Sequence, residues 1–198
     1  MAFADPTQHL PDDELKSLSE RLSRCLSGAP LENKIEKVGL GESFAIWQID
    51  PLHFHSTPPF LPTAASRLWH YQIFLDRKPI AHALVYQADS QLKIYNVTAS
   101  LLAERVDQAI EWIDKYDKDN TGINFLVVPS RLVYAFRLVQ SDVVYVISAP
   151  ATPQRAPTPN LLGTQMVLST NEFLLRLRLS KSDHLESHCE ERIEFQNE

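Results

Sequence analysis

With 198 residues, 44% of them hydrophobic and 22% charged, the chain falls among globular proteins and is long enough to bury one sizeable core. A net charge of −6 without any Lys/Arg block excludes nucleic acid as an expected partner. No apolar run reaches transmembrane length, and MAFADPTQHLPDDE lacks the basic start and apolar core of a secretory signal, so no membrane partner is expected. Cys25 and Cys189 are too few and too far apart for a disulfide framework, which makes the cytoplasm the expected compartment.

One domain is expected over residues 1–181, opening on a loose arm at 1–10 and followed by a charged, mobile tail at 182–198. Residues 12–27 have helical spacing, with Leu15, Leu18, Leu22, Cys25 and Leu26 on one face. Pro11 fits the first turn, Asp12, Asp13 and Glu14 suit the positive end of the dipole, and Gly28 and Pro30 stop the helix. Cys25 on the apolar stripe reads as a small buried hydrophobe. Gly39-Leu40-Gly41-Glu42-Ser43 has two glycines but neither the lysine of a phosphate loop nor the third glycine of a dinucleotide fingerprint.

A strand is predicted over 43–50. The next segment, 51–62, is rich in proline and reads as a stiff loop that carries Phe54, Phe60 and Leu61 as partner contacts. His53 and His55 lie within it. In an extended segment residues two apart point to the same side, so this pair is the candidate metal site.

Residues 68–97 predict a three-stranded meander with turns at Asp76–Pro79 and Asp89-Ser90. Placing Leu75 opposite Ile80 sends His82 to the face of Trp69 and Tyr71, and His70 to the opposite face with Gln72. A helix is predicted over 98–116, capped by Thr98 or Ser100, with Leu102, Val106, Ala109, Ile110, Ile113 and Tyr116 on one side. Asp117-Lys-Asp119-Asn-Thr121-Gly122 opens like a calcium loop. The twelfth position is Val128, where calcium requires a bidentate carboxylate, so a polar turn is expected instead.

The run from Gly122 to Pro150 is the most apolar and β-branched stretch and predicts a second meander over 123–148. If Val139 faces Asp142, then Phe136 faces Tyr145 and Tyr134 faces Ile147. Arg137 is the polar exception on an apolar face. Its stem can pack while its head reaches water, or it can bind an anion. Residues 151–159 form another proline-rich loop. Ser169 to Glu172 fits a capping box and predicts a helix to about Leu179, against the strand-like alternation of Leu175, Leu177 and Leu179. His184, His188 and Cys189 cluster in the hydrophilic tail.

These elements add up to an α+β fold: a largely antiparallel sheet from two three-stranded meanders (about 68–97 and 123–148) separated by a helix (about 98–116), with an N-terminal and a short C-terminal helix. No catalytic motif is complete, and no cofactor is expected. The expected function is a non-catalytic binding or adaptor domain that uses the 51–62 loop for a protein partner or for homodimerisation. The alternatives are a small enzyme or metal-binding protein centred on His53 and His55, and a pocket for an apolar ligand between sheet and helix, lined by Trp69, Tyr86 and Trp112.

Overall fold

The apolar runs pair into one eight-stranded sheet. The computed structural model describes residues 12–25, 38–88, 91–98, 101–116, 122–148 and 162–179. In chain order these form α1 (Asp12–Cys25), β1 (Val38–Gln48), α2 (Pro51–His55), β2 (Leu68–Leu75), β3 (Lys78–Ala88), β4 (Gln91–Thr98), α3 (Leu101–Tyr116), β5 (Ile123–Val128), β6 (Val133–Leu138), β7 (Val143–Ser148), β8 (Val167–Ser169) and α4 (Thr170–Leu179). The strand order is β4-β3-β2-β1-β5-β6-β7-β8. Each neighbouring pair is antiparallel except β1 and β5, where Ile46 lies beside Phe125 and Trp47 beside Leu126 in parallel. The sheet is therefore mixed. β1, predicted as a short strand at 43–50, is the strand on which the two halves join. Parallel neighbours need a long connection, and α3 lies on the one that carries the chain from β4 to β5.

Alternation along the strands builds three apolar clusters. On one face of β2–β4, Leu18 and Leu22 of α1 pack against Tyr71, Ile73, Ala81, Ala83 and Val85. On the same side of the other half, Phe173, Leu174 and Leu177 of α4 and Phe54 of α2 cover Leu126, Ala135, Val144 and Val146. The opposite face belongs to α3, whose Leu102, Val106, Ala109 and Ile113 meet Phe44, Phe125, Phe136, Tyr145 and Ile147. Ile110 and Trp112 are half-buried there. α3 packs on both β3 and β7, although β2, β1, β5 and β6 lie between them. The sheet thus coils around this helix, as right-handed strand twist favours.

Register differs from the sequence reading in the first hairpin. Leu75 pairs with Lys78, and an irregularity between Ile73 and Phe74 sets Gln72 opposite His82 and His70 opposite Leu84. A slip of one residue reverses which face a side chain takes. His70 and His82 accordingly share the α3 face. In the second hairpin Phe136 pairs with Tyr145 as read, but a shift between Tyr134 and Ala135 pairs Tyr134 with Ser148 rather than Ile147.

Local chemistry accounts for other features. Gly39 to Ser43 is part of β1, and a Cβ on Gly41 would run into the Phe74 ring, so glycine lets that aromatic lie where it does. Residues 51–55, expected as loop, form a one-turn helix because Pro51 presets the first turn and the Asp50 N–H finds the His53 ring. α4 is helical. Its first turn is capped by Ser169, whose Oγ accepts from the Glu172 N–H at 3.2 Å. Thr98, expected as a helix cap, lies in β4. The arm at 1–10, the Ser100 cap, the turn at 117–121, the loop at 151–159, the tail at 182–198 and the side chains of Leu15 and Cys25 lie outside the described residues.

Candidate functional site

The corrected register creates a buried imidazole pair. The rings of His70 and His82 stack with centroids 5.0 Å apart, and His70 also lies 4.8 Å from the Phe125 ring. Nε2 of His70 is buried without a hydrogen-bond partner. Burial, and then the neighbouring His82, push the His70 pKa down to about 3. Burial alone brings His82 down to about 4. Both rings are neutral at pH 7, because a desolvated imidazole resists charging.

His82 opens onto a cleft of about 510 Å³ where α3 begins. Leu101, Leu102 and Arg105 of α3 form one wall, and His82 and Leu84 of β3 with Asn96 and Thr98 of β4 form a second. Leu132, Tyr134 and Ser148 close the third side. Strand pairing brings these residues together, with His82 opposite Thr98, Leu84 opposite Asn96, and Tyr134 opposite Ser148. Arg105 ties helix to sheet by donating from Nη1 to Ser148 Oγ at 2.8 Å.

Leu132 has an unusual backbone. It follows the 3-10 turn Pro129–Arg131 and takes φ 52°, ψ 36°, the left-handed region. Its N–H is held by the Pro129 carbonyl at 3.3 Å. A branched L-residue there costs about 1–2 kcal/mol. The leucine gains little burial in return, since it is 65% exposed, and Leu101 on the facing wall is 64% exposed. Two exposed leucines therefore flank a cleft that also presents a guanidinium, hydroxyls and a neutral imidazole.

Towards the far end of the same helix, burial and then Asp114 and Asp107 raise the Glu42 carboxyl above its ordinary value. None of these three acids lines the cleft.

The residues singled out from sequence go elsewhere. His53 and His55 sit on α2, where residues two apart do not share a face. Nδ1 of His53 accepts from the Asp50 N–H at 3.0 Å and its ring lies 5.0 Å from Phe60, while His55 is exposed beside Phe54. Among the described residues no three His, Cys, Asp or Glu side chains are grouped to hold a metal ion. Phe54 is buried in its own core with the Arg131 guanidinium 5.6 Å above its ring, and Leu61 packs against that core. Phe60 and Leu52 remain exposed. Arg137 donates from Nε to Thr170 and from Nη2 to Asp142, each at 3.0 Å. The Thr170 hydroxyl, followed by Arg137, holds the Asp142 carboxyl below its ordinary value despite partial burial.

Trp69 packs on the α1 side, Tyr86 is exposed, and Trp112 stacks on Tyr116 and Tyr145, so none of these three lines the cleft. The cleft residues Arg105, Leu132, Tyr134 and Ser148 were not candidates from sequence. The only local signal was an apolar residue placed directly after Pro129-Ser130-Arg131.

Comparison with protein-family models, curated proteins and solved structures yields no match. Fold and geometry define a mixed α+β protein with a cleft where its central helix begins. Among the described residues no helix is long and apolar enough to cross a membrane.

Proposed function

We propose that the protein is a non-catalytic binding domain that holds a small organic ligand in the cleft between α3 and the sheet. The observation that carries this reading is the convergence of Arg105, Ser148, Tyr134, Thr98 and His82 on one concavity edged by exposed Leu101 and Leu132. Its volume of about 510 Å³ falls within the usual span of ligand pockets, about 300–1,000 Å³. The left-handed Leu132 supports it, since strained residues collect at ligand clamps. Binding is favoured over catalysis because Ser148 Oγ accepts from a cation, which does not activate a hydroxyl as a base would.

The test is a fragment titration of isotope-labelled full-length protein by NMR. Bound fragments are expected to shift the amides of Thr98, Leu101, Leu132 and Ser148 together. Hits gathered on another surface, or no hits, would overturn the reading.

A second reading keeps protein contact through the 51–62 segment. α2 packs on α4, and both present leucines to water: Leu52 on α2, and Leu175 and Leu179 on α4. Phe54 is not available to such a partner because its own core encloses it.

A further inference from the structure

We infer, resting on the cleft as a binding site, that its ligand is a small organic carboxylate with an aliphatic chain, the carboxylate on Arg105 and the chain between Leu101 and Leu132. Three observations lead there. First, among the described residues Arg105 is the one lining side chain charged at neutral pH, since none of those that line the cleft is an acid and His82 is neutral. Second, among the described residues this half-buried guanidinium donates to Ser148 through Nη1 alone. A guanidinium has five N–H donors in a planar fork that matches a carboxylate. The Thr98 hydroxyl accepts from Asn96 Nδ2 at 3.4 Å, which leaves its own proton free to point at an anion. Third, the mouth is apolar, and Leu132 is kept there in a backbone conformation that its side chain disfavours.

Other ligand classes use only part of this arrangement. An inorganic anion would leave both leucines idle. An alkyl ammonium would meet Arg105 with like charge. A neutral alcohol would leave the cation without a counter-charge.

Three probes of equal chain length separate these cases: octanoate, octanol and octylamine, titrated into labelled full-length protein. NMR follows the Arg105 Nε–H and the Leu101 and Leu132 methyls. Octanoate is expected to shift all three groups. Arg105→Gln should weaken octanoate about tenfold, as loss of a charge-assisted contact does, and change octanol by less than about twofold. Arg105→Lys keeps the charge but not the fork, and should fall between; it serves if Arg105→Gln proves misfolded. Octanol or octylamine binding as tightly as octanoate would overturn the carboxylate and leave the cleft standing. No shift of the cleft by any of the three would overturn both.

Discussion

Leu132 occupies a backbone conformation in which glycine or asparagine would be at ease, and nothing in its own burial compensates. The stacked histidines show the same kind of local cost. Each is neutral when folded and free to charge when unfolded. With folded values near 3 and 4 against an ordinary value of 6.5, the unfolded chain binds more protons throughout that interval. Stability is therefore full above about pH 6.5 and falls as the pH drops toward 4, by about 1.4 kcal/mol per histidine per pH unit. Glu42 and Asp107, whose folded values are raised, oppose this near the bottom of the range. Urea midpoints at about pH 7.5 and about pH 5 should differ clearly in the native protein and much less in the His70→Phe/His82→Phe variant. An unchanged pH slope in that variant would refute the assignment.

At the level of the elements, β1 and β2 are matched by Gly41 and Phe74. The ring of Phe74 occupies the space a Cβ on residue 41 would fill. Gly41→Ala should destabilise the protein by about 1–3 kcal/mol, as overpacking does. Adding Phe74→Leu should restore part of that loss, which chemical denaturation of the single and double variants would show; equal and additive losses would deny the contact. The helices differ in how readily sequence shows them. α1 and α3 follow from apolar spacing alone, and Leu18, Leu22, Val106, Ala109 and Ile113 are buried as that spacing requires. α4 depended on a cap, since its alternation of leucine and arginine suits a strand equally well, and the Ser169 cap is present. α2 was hidden because three of its five residues are aromatic rings with poor helix propensity and its proline has two meanings, breaker and first-turn former.

For the molecule as a whole, the sheet wraps α3 on one side and takes α1 and the α2–α4 pair on the other. Leu52, Leu175 and Leu179 of that pair stay in water, and they predict weak self-association. Sedimentation equilibrium should show the mean mass rising with concentration in the native protein and not in Leu52→Asp; a constant mass at all concentrations would remove self-association from the second functional reading. The amino-acid order by itself determined the type of most elements, the apolar stripes of the helices and the pairing of Phe136 with Tyr145, because these depend on periods of two and 3.6 residues and on short turns. Tertiary structure alone decided that β1 and β5 join the halves in parallel, that one irregularity at Ile73 turns His70 and His82 onto the same face, and that Arg105 meets Ser148 across the coiled sheet. Those contacts join residues distant along the chain, and a single extra residue in a ladder, which leaves no trace in composition or period, is enough to reverse a face.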